Sequence, residues 1–446
     1  MASRIVVIGG GAAGIGAAGA AKGTAPDAEV KVFTEYEDVG YSPCGIPYVH
    51  GGEIDDFESL FLAEKQTYVD AGIDIAYETP VRSIHPDRHE VVLDDGERVD
   101  YDALVLGTGW NYEPTGVPGS DLGGLYHVKN IRRAMEWQPV IERANVAVVT
   151  EASPIGLEMA TALAHRGVET HLLDRQPWLL ADAADPDIME PVEESLRELG
   201  VHIHLGTSVE AFLGEGSVRS VRTSGGDIDA DLVVVASHKQ PNVELAEAAG
   251  LKVGSTGALV VNDRMQTSAE DVYAAGDCVE LPHIVTGVPI AALTGSHAYA
   301  QGKVAGTNAA GGSRRYNQVY VPWGLPAGKW IVGGASTGET LATALGLPFV
   351  LGISTGISRA RYFPGFRQIR VKLLFDPKSL ALLGAQMVGG EGIKERADFL
   401  GMAIKMGATA HDLAWMENVY SPPIGALNEP IALAAQNCLA RLENQR

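Results

Sequence analysis

Arg4-Ile5-Val6-Val7-Ile8-Gly9-Gly10-Gly11-Ala12-Ala13-Gly14 is the stretch whose reading decides the fold. The β-branched opening predicts a strand, the glycines spell G-x-G-x-x-G, and the alanine-rich run to Lys22 predicts a helix. Gly9 permits a tight turn, Gly11 lets a pyrophosphate approach the backbone, and Gly14 allows the helix to pack closely, with its N-terminus facing the phosphates. A second strand is expected over residues 29–33, and Thr34-Glu35 stands where an acid binds an adenosine ribose. The glycine pattern alone is weak evidence. Strand, loop, helix, strand and acid in that order point to a dinucleotide site and an α/β fold. Residues 1–21 are apolar enough to resemble a signal peptide, but Gly9, Gly10, Gly11, Gly14 and Gly16 suit a phosphate turn better than an apolar leader core.

The 446 residues, 46% of them hydrophobic, suffice for about two to four domains with their own cores. With 34 basic and 56 acidic residues the formal charge is −22, which argues against nucleic acid and anionic membranes as partners. No transmembrane span is expected. Cys44, Cys278 and Cys438 are too few and too scattered for a disulfide framework or a zinc site, and no C-x-x-C occurs. That usage suggests a reducing, cytoplasmic setting. His238, His283 and His297 carry no metal-ligand spacing, and no metal is expected.

Further along comes Tyr41-Ser42-Pro43-Cys44-Gly45-Ile46-Pro47-Tyr48. A thiol followed by apolar residues that start a helix lies near backbone N–H groups that favour the reactive thiolate. A lone cysteine also fills core space as a small apolar group, so residue types alone leave both readings open for Cys44. From Asp74 to Asp102 the pattern alternates as strands do, and Ala103-Leu104-Val105-Leu106 then runs into Gly107-Thr108-Gly109, where backbone can come close to a cofactor. Asp271 to Asp277 repeats that design and ends in a carboxylate able to accept a hydrogen bond from a ribityl hydroxyl. Taken singly, each also reads as a plain strand terminus.

Together these segments resemble the flavoprotein pyridine nucleotide-disulfide oxidoreductases over essentially the whole chain. Gly9 to Gly14, Thr108-Gly109 and Gly276-Asp277 match that superfamily's FAD motifs. The lone cysteine in Ser-Pro-Cys-Gly-Ile-Pro-Tyr is similar to the single-cysteine branch, which includes coenzyme A-disulfide and persulfide reductases, NADH oxidases and NADH peroxidases. Oxidases and peroxidases usually place a histidine in the first glycine loop; Ala12 stands there, which favours the coenzyme A-disulfide reductase side. The resemblance implies Cys44 as redox thiol, with Tyr362 and Tyr420 brought toward it, the second from a partner subunit of a homodimer. It further implies FAD contacts at Gly9, Gly11, Ala13, Gly14, Thr34, Glu35, Ser42, Pro43, Val81, Thr108, Gly109, Gly276, Asp277 and Ala298. The substrate would be a small thiol or disulfide, with coenzyme A as one candidate. The domains implied are a discontinuous FAD domain (residues 1–112 and 250–320), a Rossmann-like NAD(P)-type domain (113–249) and an α+β dimerisation domain (321–446). Cys278 and Cys438 are expected to be structural.

The second nucleotide unit departs from the pattern. A strand is expected over residues 145–150, a helix over 154–166 and a strand over 169–173, but the loop between the first two reads Glu151-Ala152-Ser153-Pro154-Ile155-Gly156. Relatives carry glycines at positions 151 and 153; only Gly156 survives. A carboxylate about 4 Å from a phosphate charge costs roughly 1 kcal/mol in water and about 4 kcal/mol near a protein surface. That weakens NAD(P)H binding by about one to three decades. Against this, Glu158 occupies the position that relatives aim at the nicotinamide, and Asp174 suits an adenosine ribose. Two readings therefore stand: a reductase fed by NAD(P)H through FAD and Cys44, or a flavoprotein of the same fold fed by a thiol, a carrier protein or another organic substrate, with O2 as an alternative acceptor. A flavin-bearing sensor without turnover is disfavoured by the intact cysteine and tyrosine segments.

Overall fold

The computed structural model describes residues 3–112, 116–237, 239–291 and 294–444. Two compact units emerge. The first comprises Met1–Gly45, Asp56–Glu113 and His238–Val319, the second Ile46–Asp55, Pro114–Ser237 and Tyr320–Arg446. His238 itself lies outside the described residues.

The first unit is built on a parallel five-stranded sheet in the order Val272–Ala274, Ala103–Leu106, Arg4–Ile8, Glu29–Phe33, Ile73–Ala76. Arg4–Ile8 occupies the centre, with Ile5 in register with Val30 on one side and Ala103 on the other. Val6, Val7, Leu104 and Val105 are fully buried, as strands covered on both faces require. The helix Ala12–Thr24 runs back along the sheet and packs on the helix Gly295–Ala309. A Cβ at Gly302 or Gly306 would overlap the carbonyls of Ala13 or Ala17, so these helices meet backbone to backbone. The alternating segment forms an antiparallel sheet of Val81–His85, Glu90–Leu93 and Arg98–Asp100. Lys239–Pro241 pairs with Trp110–Tyr112 and so belongs to this unit.

The second unit contains a parallel sheet of the same design, ordered His202–His204, Glu169–Leu173, Val146–Thr150, Leu232–Val235, Leu125–Tyr126. Its first crossover helix is Pro154–His165, one residue shorter than the sequence pattern predicts. An antiparallel five-stranded sheet follows, ordered Pro322–Ala327, Trp330–Ser336, Leu382–Gly389, Gln368–Phe375, Val350–Ile357. The helix Ile393–Met406 packs on the strands at one end of this order, and Pro430–Asn444 covers Val350–Ile357 at the other. Among the described residues no helix is long and apolar enough to cross a membrane.

One buried cation ties the parts of this second unit together. Lys372, 3% exposed on the strand Gln368–Phe375, lies 3.1 Å from Asp185, 2.7 Å from Asp187 and 2.6 Å from Glu339. Burial works against its charge, but the carboxylates outweigh that and hold its pKa above the usual lysine range. Asp185 also accepts hydrogen bonds from the backbone N–H groups of Glu339 and Thr340, each at 2.9 Å. Replacing Lys372 with Met leaves Asp185 buried without its counter-charge. The expected loss is about 3–5 kcal/mol, read as a lower urea midpoint, and an unchanged midpoint would refute the role assigned to this cluster.

Candidate active site

At the glycine loop, Gly9 adopts φ +108° and its N–H donates to the Phe33 carbonyl at 2.8 Å. A Cβ at Gly14 would overlap the Gly9 carbonyl, so this contact admits only hydrogen. Gly11 is the N-cap of the 13-residue helix; no side chain caps that end, and the space over Gly11 is open. An uncapped helix N-terminus, tightly built behind and open in front, fits a pyrophosphate. Gly276, at φ +86°, packs against Ala13 and Ala298, where its added Cβ would stand 2.9 and 3.3 Å from theirs. Gly276 N–H donates to Gln301 at 2.9 Å, and the half-buried Asp277 follows. Thr108 donates through its hydroxyl to the Asn242 carbonyl (2.7 Å), while the Asn242 amide donates back to the Thr108 carbonyl (2.9 Å) and its N–H to that of Gly109 (2.9 Å). The two strand ends Thr108-Gly109 and Gly276-Asp277 thus terminate neighbouring strands of one sheet. Thr34 is buried and Glu35 exposed, and the Thr34 carbonyl accepts from Thr79 N–H, two residues before the half-buried Val81. These residues of the first unit fit FAD.

Cys44 lies exposed in the short 3-10 turn Pro43–Gly45, directly ahead of the helix Ile46–Gly51 in the chain. The preceding segment is fastened to the glycine loop: Gly40 N–H donates to the Gly10 carbonyl at 3.2 Å, and Val39 fills the space beside Gly10. Ser42 N–H donates to the Leu60 carbonyl at 2.9 Å, which fixes the turn from the other side. Cys278 and Cys438 are buried, and burial pushes both thiols up. Cys278 Sγ donates to the Ala275 carbonyl at 3.4 Å. In the second unit, the hydroxyls of Tyr362 and Tyr420 lie 2.8 Å apart, and that hydrogen bond raises the Tyr362 pKa.

The second loop has the first loop's backbone and different chemistry. Glu151 adopts φ +73°, a left-handed conformation that a glycine would take without strain and that costs a side chain about 1–3 kcal/mol. A Cβ at Gly156 would overlap the Glu151 carbonyl, just as Gly14 meets Gly9. Ser153 is the N-cap, and its hydroxyl accepts from Gly156 N–H at 3.4 Å and donates to the Ala236 carbonyl at 3.4 Å. Asp174, buried, accepts from Ala152 N–H and Gln176 N–H, both at 2.8 Å. Glu158 accepts from the Tyr48 hydroxyl at 2.9 Å. Tyr48 closes the cysteine stretch, and no periodicity in the sequence cues its contact with Glu158, 110 residues away.

The helix Ile46–Gly51 carries a second polar contact that the sequence did not flag. His50, 1% exposed, bonds to Gln138 at 2.7 Å through Nδ1 and to the Tyr126 hydroxyl at 3.0 Å through Nε2. Tyr126 in turn stacks on Trp137 at 5.0 Å. The His50 carbonyl accepts from the Arg166 guanidinium.

Residues 3–306 match the pyridine nucleotide-disulphide oxidoreductase profile and residues 335–430 the dimerisation-domain profile of the same name. An NADH oxidase of Methanocaldococcus jannaschii is 36% identical, covering 99% of this chain and 100% of its own. A CoA-dependent NAD(P)H sulfur oxidoreductase of Pyrococcus furiosus is 34% identical, covering 97% of this chain and 98% of its own. The solved structure of an NAD-dependent persulfide reductase from A. fulgidus superimposes with TM-score 0.95 at 32% identity, covering 99% of this chain and 84% of that one.

Burial depresses His50 to about 4. An unfolded imidazole near 6.5 takes up a proton that the folded one refuses, so His50 contributes its full stability above about pH 6.5 and loses it as pH falls toward 4. That window amounts to about 3 kcal/mol. Between pH 6.5 and 4, His50→Gln should show a visibly shallower fall in unfolding midpoint than the parent protein; equal slopes would refute the burial of a neutral imidazole.

Proposed function

The chain belongs to the pyridine nucleotide-disulphide oxidoreductase family, and from that premise we propose that it is an FAD-dependent thiol–disulfide oxidoreductase of the coenzyme A-disulfide or persulfide reductase kind, working through Cys44. The observation that carries the proposal is the exposed Cys44 turn, whose approach segment is hydrogen-bonded to the open glycine loop through Gly40 and Gly10. FAD bound along Gly9–Gly14, Thr108-Gly109 and Gly276-Asp277 supplies a two-electron redox couple. Cys44 as thiolate attacks one sulfur of a small disulfide or persulfide: its S–S bond breaks, one thiolate leaves, and a mixed disulfide forms on Cys44. Two electrons and one proton then cleave that mixed disulfide, releasing the second thiol and restoring the Cys44 thiolate. Tyr362 and Tyr420, sharing a hydrogen bond, act as proton donors to the leaving sulfur. The matched dimerisation domain supports a homodimer, and because Tyr362 and Tyr420 are bonded within one chain, both rather than the second alone would serve the partner's cysteine. Low cysteine usage and the −22 charge support a reducing cytosol and no nucleic acid or membrane partner.

A second reading, a flavoprotein that takes electrons from a thiol or carrier protein instead of NAD(P)H, is favoured by one group of contacts. The Glu151–Gly156 loop satisfies itself: Ser153 caps the helix, Asp174 holds two backbone N–H groups, and Glu151 adds negative charge beside the phosphate position. The Pyrococcus furiosus relative, named for NAD(P)H, supports the first reading.

Anaerobic titration separates the two. NADH or NADPH that bleaches the flavin at micromolar levels selects the first reading, whereas reduction only by dithionite or thiols selects the second. In either case Cys44→Ser should abolish turnover of coenzyme A disulfide or persulfide while leaving the flavin spectrum intact; retained turnover would overturn the role of Cys44. Glu151→Gly with Ser153→Gly should tighten pyridine nucleotide binding by about one to three decades. Unchanged affinity would show that this loop does not face the phosphates.

A further inference from the structure

The outer edge of the second parallel sheet carries a cluster that neither the redox chemistry nor the nucleotide loops use. Glu169 and His171 lie two apart on the strand Glu169–Leu173, while His202 and His204 lie two apart on the edge strand His202–His204. The parallel register pairs His171 with His202 and Leu173 with His204, so alternation puts all four side chains on one face. The His171 ring stacks on those of His202 and His204, with centroids 4.8 and 5.3 Å away. His171 Nε2 lies 3.3 Å from Glu169 Oε1, and His171 Nδ1 lies 3.1 Å from His204 Nε2. One donor atom from each of Glu169, His171 and His202 falls within 4.8 Å of the others.

We propose that Glu169, His171 and His202 form a surface site for a divalent first-row transition metal ion of the zinc class, with His204 orienting the His171 ring. Two imidazole nitrogens and one carboxylate oxygen are borderline donors that suit Zn2+, Ni2+ or Cu2+ and are a poor set for Mg2+ or Ca2+, which take oxygen ligands. With the His171 proton on Nδ1, donated to His204, the Nε2 lone pair points toward Glu169 and a metal. Metal–ligand bonds of about 2.0–2.2 Å put tetrahedral ligands roughly 3.3–3.6 Å apart. Closing the site therefore needs shifts of about 1 Å by Glu169 and His202, both exposed side chains with room to move. Their exposure leaves the remaining coordination positions to water. Arg197 is the nearby opposing charge, and Glu193 engages it at 2.9 Å.

The test uses the flavin-loaded full chain with Cys44→Ser, which removes the exposed thiol as a competing ligand. Calorimetric titration with Zn2+ should show one saturable equivalent at micromolar concentrations. Glu169→Gln or His202→Gln should each weaken it by more than about ten-fold, and His204→Gln by about ten-fold. His411→Gln, an exposed histidine on another element, should leave it unchanged. Because Glu169 and His202 are exposed, their variants should keep the parent's circular dichroism and flavin spectrum. No saturable uptake at micromolar Zn2+, or uptake that survives His202→Gln, would overturn the proposal. Neither outcome depends on which electron donor or substrate the flavin serves.

Discussion

Backbone meets backbone at the start of the first helix, and the rest of the first unit is arranged around that contact. The Gly9 carbonyl occupies the space where residue 14 would carry a Cβ, and the Ala13 and Ala17 carbonyls occupy the corresponding space at Gly302 and Gly306. Two helices and the central strand are therefore packed more closely than side chains permit. The consequence is local and electrostatic. A helix end held this tightly from behind, with no side chain over Gly11, leaves its N–H groups facing outward, where they attract an anion.

The second unit builds the same turn and withholds the same result. Glu151 takes the left-handed backbone that Gly9 takes, and Gly156 sits under its carbonyl as Gly14 sits under that of Gly9. Geometry has been kept while chemistry has changed. In place of an open helix end there is a serine cap, and the nearby carboxylate of Asp174 grips the loop through Ala152 and Gln176. The strain at Glu151, about 1–3 kcal/mol, persists because the Gly156 contact and the Asp174 bonds fix the turn around it.

Much of this was legible in the chain. The strand Arg4–Ile8 falls where its β-branched run puts it, because a central parallel strand must be almost wholly apolar, and the strands Glu29–Phe33 and Glu169–Leu173 keep the expected bounds although each mixes polar with buried apolar residues. The glycines of the turn at residues 9–14 and of the strand ends at 108–109 and 276–277 were readable because glycine is suited to what happens there: backbone or side-chain atoms crowd Gly9, Gly14 and Gly276, and Gly9, Gly109 and Gly276 take positive φ. What the sequence hid were polar contacts across long separations. Tyr48 with Glu158, His50 with Tyr126, and Lys372 with Asp185 each join segments more than 70 residues apart, and no periodicity encodes them. The histidine cluster was hidden in the same way. His171 and His202 are 31 residues apart along the chain and become neighbours only through strand register.

At Glu158, position in the fold and hydrogen-bond partner point in different directions. On the helix Pro154–His165 the resemblance would aim it at a nicotinamide, yet its carboxylate accepts from Tyr48, on the helix that follows Cys44 in the chain. Gly51 of that short helix packs so closely on Ala162 that a Cβ added at Gly51 would stand only 3.2 Å from the Ala162 Cβ, and Arg166 reaches the His50 carbonyl. Three successive turns of one helix thus hold the six residues Ile46–Gly51, whose own hydrogen bonds could not keep so short a helix in water. The contact with Tyr48 gives Glu158 a structural reason to remain an acid whichever electron donor the protein uses. Its presence therefore weighs less for pyridine nucleotide binding than its position suggests, and the closed loop at Glu151 and Ser153 weighs more.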